Sequence, residues 1–189
     1  MLELGSGTGS LIVGLAASRP DLEFIGIEPL AGYVDFARRR AEAAKIANVR
    51  FCEGVAEEAA ATLDGARADY VISSDVLHHV GDQSLVTAQA RAASAGKGGW
   101  LLIEPNLWNP YILAFQGLAP GERNFRPRSF LSVANANGWR LRRRGFLFLV
   151  PGFVASPGPR LRRAEHRWEH LRLLAGGVWL ELEPTGPNS

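Results

Sequence analysis

The chain has 189 residues, 47% of them hydrophobic and 21% charged, with 21 glycines at no fixed period, which fits one globular domain and excludes a disordered tail or collagen-like repeat. Its net charge of +2 hides a division: residues 1–118 hold 9 Lys+Arg against 14 Asp+Glu, and residues 119–189 hold 12 against 5, so the later part is expected to face an anionic substrate or to form a solvated arginine-rich face. A single cysteine, Cys52, excludes an internal disulfide and a thiolate zinc site, and the cytoplasm is the expected compartment.

The first apolar run, LEL from Leu2, reads as a short strand leading into the glycine-rich turn GSGTG. LIVGLAAS is apolar and ends in small residues, but Glu3 stands where a basic segment belongs, so a secretory leader is not expected. Further runs follow: EFIGI from Glu23, VRFC from Val49, DYVIS from Asp69 and WLLIE from Trp100. Between them, Leu30, Tyr33, Val34, Ala37, Ala41 and Ala44 keep a helical stripe, and a second helix from about Ser84 carries Leu85, Val86 and Ala92. Strands without clean alternation, spaced by helical segments, are the form of a parallel sheet covered on both faces.

After Glu104 the rhythm changes, and Pro105, Asn106, Asn109, Pro110, Pro120 and Gly121 mark a loop-rich insertion. A helix is predicted from Pro127 to Gly138, then a sixth strand in RLRRRGFLFLV. A basic amphipathic helix follows over residues 160–175, with Leu161, Ala164, Trp168, Leu171 and Leu174 on one side, and GGVWLELE is the last strand. FLFLVPGFVA is too short and too broken by Pro151 to span a bilayer, which takes about 20 helical residues. No internal repeat or linker divides the chain.

The chemistry is expected at the carboxyl ends of the strands, where open α/β sheets bind ligands. Gly5, Gly7 and Gly9 run as G-x-G-x-G, with Ser10 where a dinucleotide fingerprint would carry its third glycine. This favours a nucleoside ligand without a pyrophosphate. Glu28 ends the second strand, where a carboxylate can accept hydrogen bonds from both ribose hydroxyls. Gly54-Val55-Ala56 lies beside the position of the base, and DYVISSDVLHHV brings Ser73, Ser74 and Asp75 to the carboxyl edge ahead of Leu77, His78 and His79.

Together, LELGSGTG, the acid of IGIEP, FCEGVAEE, DYVISSDVLHHV and GKGGWLLIEPN resemble a class I S-adenosylmethionine-dependent methyltransferase over roughly residues 1–106. The resemblance implies a single doubly wound, Rossmann-like α/β domain over residues 1–189, with a seven-stranded sheet that is mostly parallel. Its last strand, residues 176–183, would run antiparallel between the fifth and sixth. Residues 1–106 would form the cofactor half, and residues 107–175 the acceptor-side lid and sixth strand. The resemblance also implies methyl transfer from S-adenosylmethionine to a small molecule. Glu3 and the turn Gly5, Ser6, Gly7 and Gly9 would surround the methionine part, Glu28 with Pro29 would hold the ribose, Val55 and Ala56 would border adenine, and Ser73 would lie near the sulfonium. The family commonly has an aspartate at the Val55 position and a helical segment before the first strand, so an upstream extension of the frame is expected.

A general base is needed only for a weakly acidic acceptor, and His78, His79 and Asp75 are the candidates by position. Trp108, Tyr111, Phe115 and Phe125, with Arg123, Arg126 and Arg128, suit an apolar or ring-shaped acceptor bearing negative charge. Cys52 reads as a small buried strand residue. HRWEH lacks the central glutamate of a zinc helix, so His166 and His170 are not read as metal ligands, and no metal is expected. The scattered tryptophans do not form a stacking platform, and no nucleic-acid partner is expected. The competing readings are a catalytically decayed binding module of the same fold and a nicotinamide-dependent oxidoreductase, the latter disfavoured by Ser10.

Overall fold

A computed structural model describes residues 1–117, 125–147, 158–160, 163 and 171–186. Among the described residues seven strands form one sheet: β1 (Leu2–Leu4), β2 (Phe24–Glu28), β3 (Val49–Glu53), β4 (Ala68–Ser74), β5 (Ser94–Pro105), β6 (Trp139–Leu147) and β7 (Gly177–Pro184). Their order is β3-β2-β1-β4-β5-β7-β6. The first five pair in parallel, and β7 pairs antiparallel with both β5 and β6. This is the doubly wound arrangement expected from the sequence.

Among the described residues the sheet is accompanied by α1 (Ser10–Ser18), α2 (Ala31–Ala43), α3 (Ala59–Thr62), α4 (Gln83–Ala93), α5 (Pro110–Gly117) and α6 (Pro127–Ala136), and residues 159, 160 and 163 are helical as well. A sheet covered on both faces needs two apolar layers, and two clusters are present. Ile12, Val13 and Ala16 of α1 and Val34, Ala37 and Ala41 of α2 pack with Phe24 and Phe51. Val86 and Ala90 of α4 and Phe130 and Ala134 of α6 join Val71, Trp100, Leu102 and Trp139 in the larger one. Trp100 sits edge-on to Phe130, with centroids 5.8 Å apart, and its indole N–H donates to Ser73 Oγ at 3.1 Å.

Local signals explain the helix ends. The Asp82 side chain caps α4 by accepting from the Ser84 and Leu85 N–H groups, and α6 ends ahead of Gly138, whose φ is +82°. Four expectations change. Leu85 and Ala92 are exposed, so α4 buries Val86, Thr87, Ala90 and Ala93 instead. The insertion after β5 contains α5, because Pro110 occupies a first helical turn and Asn109 Oδ1 accepts from the Tyr111 N–H at 2.9 Å. Cys52 is half-buried, with its sulfur 3.3 Å from an Arg50 guanidinium nitrogen. Residues 172–174 form a turn rather than the end of a helix. Leu161, Ala164, His166, Trp168, His170 and Arg123, like most of the predicted helix over 160–175, lie outside the described residues. Among the described residues no helix is long and apolar enough to cross a membrane.

Trp100→Ala is expected to lower stability by about 3–5 kcal/mol, since it empties a fully buried site and strips the Ser73 hydroxyl of its partner. Urea unfolding should show a lower midpoint; an unchanged midpoint would contradict this packing account.

Candidate functional site

The carboxyl ends of β2, β1, β4 and β5 lie side by side, with Leu4 opposite both Ile27 and Ser73 and Ser74 opposite Ile103. The chain leaves β1 through a turn in which Gly5, Gly7 and Gly9 have φ of +68°, +50° and +73°. An L side chain rarely adopts such angles. At Gly5 a Cβ would also stand 2.5 Å from Val76 Cγ2, whereas nothing lies within 4 Å of the corresponding point at Gly7. The turn thus rests on the loop after β4 at one end and faces open space in its middle.

Glu28 pins this turn. Its side chain is buried, Oε2 accepts from the Gly7 N–H at 2.9 Å, and Oε1 accepts from the Leu30 N–H at 3.2 Å. Ser6 donates its backbone N–H to Ile27 O at 2.9 Å, completing the link between the turn and β2. Pro29 is exposed beside Glu28. On the next strand end, Val55 is exposed and Ala56 buried at the start of a 3-10 turn, Ala56–Glu58.

Two polar atoms nearby have no hydrogen-bond partner among the described residues, Glu3 Oε2 and Ser6 Oγ. Buried polar groups are almost always paired, which makes these two the most informative atoms of the edge. Burial pushes the Glu3 carboxyl up to about 8, helped by the nearby Glu28 charge and opposed by the Ile12 backbone N–H.

The loop after β4 forms the other wall. The Ser73 side chain is fully buried against Trp100 and so turns away from the edge. Asp75 takes a φ of +56°, and its N–H donates to Ile103 O at 2.9 Å. Although Asp75 is exposed, the protein crowds one side of its carboxyl; desolvation first, then the Glu104 charge, raise its pKa against the opposing effect of His78. His78 is buried, with Nδ1 2.8 Å from Glu104 Oε2, while His79 is exposed and stacks on it with ring centroids 4.0 Å apart. Of the two histidines, only His79 meets solvent.

Glu104 was not singled out by the sequence motifs. Its side chain has no exposed surface, and its carboxylate gathers the backbone N–H groups of Val76, Leu77 and His78. The partners lie 26 to 28 residues away, so no local pattern announces them; the one signal is an acid at a strand end.

On the acceptor side, Phe125 belongs to the core, 5.3 Å from Phe130 between centroids, which corrects its grouping with the residues suited to an acceptor. Trp108 and Tyr111 are exposed, as are Arg126 and Arg128 at the start of α6. The Arg172 guanidinium lies over the Trp108 ring, 4.7 Å from its centroid.

The family model described as a methyltransferase domain matches residues 1–120. Release factor glutamine methyltransferase of Salmonella typhimurium (strain LT2) is 35% identical over 74 residues, 39% of this chain and 26% of that protein. The chain therefore spans about a quarter of the length of this curated relative. Among solved structures, a SAM-dependent methyltransferase from Archaeoglobus fulgidus is similar with a TM-score of 0.71 at 15% identity, over 96% of this chain and 84% of that one. Magnesium protoporphyrin IX methyltransferase from Synechocystis PCC 6803, solved with bound SAH, gives 0.65 at 18% identity, over 97% and 73%. At these identities the structural likeness is one of fold.

A raised carboxyl has a definite consequence for stability. Between the ordinary value of 4.5 and about 8, the folded chain keeps a proton on Glu3 that the unfolded chain gives up. Stability therefore falls as pH rises through that window, by at most about 1.4 kcal/mol per pH unit from this group. Glu3→Gln should remove this slope, so its melting temperature should overtake the parent's progressively toward pH 8 and converge with it near pH 4.5. Parallel melting curves would contradict the assignment.

Proposed function

The chain belongs to the methyltransferase-domain family, and from that premise we propose that it transfers a methyl group from S-adenosylmethionine to a small-molecule acceptor. The observation that carries the reading is the glycine turn after β1, held to β2 by Glu28 and open at Gly7, with two buried, unpartnered oxygens, of Glu3 and Ser6, in the strand and turn that form it. Buried polar atoms without partners mark a place where a bound, donor-bearing group would complete the pairing. These residues fit the cofactor.

In this reading Glu3 and the turn from Gly5 to Gly9 surround the methionine part, Glu28 and Pro29 receive the ribose, and Val55 with Ala56 borders adenine. Glu28 retains acceptor capacity beyond its two backbone partners, because an ionised carboxylate has about four lone-pair sites. Val55 offers the base an apolar edge in place of a carboxylate. Ser73 can serve the sulfonium end only through its backbone, since its hydroxyl is bonded to Trp100.

Bound there, S-adenosylmethionine supplies a methyl group on an electrophilic sulfonium. The chain's task is to hold the acceptor in line with that methyl group, which is worth more to such a reaction than any acid or base. Where the acceptor must lose a proton, His79 and Asp75 are the accessible groups, and His78 is committed to Glu104.

Residues 107–175 are assigned to the acceptor. Asn106 and Asn109 both donate to the Ala175 carbonyl, and Asn109 also reaches Leu174 O, which holds the 172–175 turn beside Trp108. The exposed Trp108 under Arg172, with Arg126 and Arg128 at α6, supports an apolar or ring-shaped anionic acceptor. The relative matched over 74 residues is named for a glutamine in a release factor and the Synechocystis protein for a tetrapyrrole; the aromatic and arginine mixture favours a small molecule.

S-adenosylhomocysteine should raise the melting temperature and NADH should not. Glu28→Ala, which loses acceptors for the ribose and for Gly7, should weaken S-adenosylhomocysteine by about 1.5–3 kcal/mol in calorimetry. Unchanged affinity in a folded variant would sink the ribose assignment, and stabilisation by NADH alone would favour an oxidoreductase. In turnover assays Arg126→Ala and Arg128→Ala should raise the acceptor KM, less so at high salt, and leave cofactor affinity alone. Equal losses toward both ligands would make the segment structural.

A further inference from the structure

We propose that Glu104 is a positioning residue for the methionine end of the cofactor, acting through the loop after β4; the inference rests on the cofactor reading given above. Glu104 has no exposed surface and cannot touch a ligand itself. Its Oε1 accepts from the Val76 and Leu77 N–H groups at 3.1 and 2.8 Å, and its Oε2 accepts from the His78 N–H at 3.3 Å and lies 2.8 Å from His78 Nδ1.

Three consecutive backbone N–H groups turned toward one carboxylate form an anion-binding nest. The left-handed Asp75 makes it possible, because its φ of +56° turns the chain inward after β4. A buried carboxylate is stable only with such partners, and the N–H groups are stable there only with such an acceptor. The loop's shape is therefore set from β5 together with a turn of its own, in which the His79 N–H donates to Val76 O at 3.0 Å.

That shape reaches the glycine turn through Val76. Its backbone N–H is held by Glu104, and its side chain closes on Gly5 so tightly that a Cβ there would stand 2.5 Å from Val76 Cγ2. Gly5 follows β1 and stands two residues from Glu3, the buried acid with an unpartnered oxygen. Glu104, Val76 and Gly5 thus form a mechanical chain from β5 to the wall assigned to the amino-acid end of the cofactor. The ribose is assigned to the Glu28 carboxylate itself, on β2, whose partners are Gly7 and Leu30 and not the loop after β4. Glu28 also holds the glycine turn at Gly7, so a change at Glu104 should be felt more at the Gly5 end of that turn than at the ribose.

Two compounds divide the site accordingly: S-adenosylhomocysteine carries the amino-acid part, and 5′-methylthioadenosine lacks it. Glu104→Gln keeps an oxygen for Val76 and Leu77 but presents N–H donors to the His78 N–H, so the loop should shift. Calorimetry on the full chain should show S-adenosylhomocysteine weakened about tenfold, with 5′-methylthioadenosine changed less than about twofold. Val76→Ala, which leaves the carboxylate network intact and removes the contact with Gly5, should have the same selective effect and decides the matter if Glu104→Gln does not fold. Equal loss of both compounds, or loss of neither, in the folded variants would overturn the role of Glu104. Parent protein that binds neither compound would overturn the cofactor reading, and this inference with it.

Discussion

Three buried glutamates at the carboxyl edge depend on one exchange, in which an ionisable side chain trades water for backbone N–H groups. Glu28 and Glu104 complete it, each with amides from the loop that follows a different strand: Glu28 holds the turn after β1, and Glu104 holds the loop after β4. Each loop is consequently shaped by an acid on another strand, so the edge behaves as one connected surface. An apolar residue at position 104 would leave the Leu77 and His78 amides buried and without this acceptor, at about 1–3 kcal/mol each. Glu3 is the exception, because one of its oxygens has no partner among the described residues.

The other side of the sheet resolves the charge division differently. β6 is an edge strand, and Arg140, Arg142, Arg143 and Arg144 are exposed along it. Arg140 pairs with Glu183, and a register shift after Leu141 lets both Arg142 and Arg143 reach Glu181, all across the β6–β7 ladder. Exposed ion pairs of this sort add little stability. Arginines along an open edge do discourage another strand from pairing there, which accounts for much of the basic excess in the described part of residues 119–189 without a ligand. Arg126, Arg128 and Arg172 lie elsewhere, on the segments flanking the insertion.

How legible this was follows from the distance over which each feature is determined. The glycine turn, Glu28 at a strand end and a parallel sheet covered by helices were readable, because each depends on a short pattern or on the alternation of apolar runs, whereas the antiparallel last strand between the fifth and sixth followed only from the resemblance to the family. β5 was read as starting at Trp100; in fact Ser94 pairs with Ala68, and the ladder resumes at Tyr70 opposite Gly99, with the intervening residues absorbed in an irregularity that resembles turn chemistry. Pro110 was taken as a breaker although it opens α5, since proline marks both a stop and a first turn. Position alone makes Phe125 a candidate for the acceptor and His78 a candidate base, whereas their burial, by Phe130 of α6 and beside Glu104, is tertiary. The Glu104 network could not be read at all, as its partners are backbone atoms and backbone atoms carry no sequence signature.

Methyl transfer from a sulfonium needs alignment more than acid–base chemistry, and on the proposed reading the edge is built in that proportion. The loops are fixed by buried carboxylates that accept from backbone N–H groups, whereas Asp75 and His79 are the exposed titratable groups of the loop after β4. Satisfied carboxylates confer rigidity, whereas Glu3, pushed up to about 8 by burial, keeps one oxygen without a partner among the described residues. On the proposed reading a cationic ligand would stabilise its charged form, and the uneven treatment of similar glutamates on neighbouring strands would separate the part of this surface that supports from the part that receives.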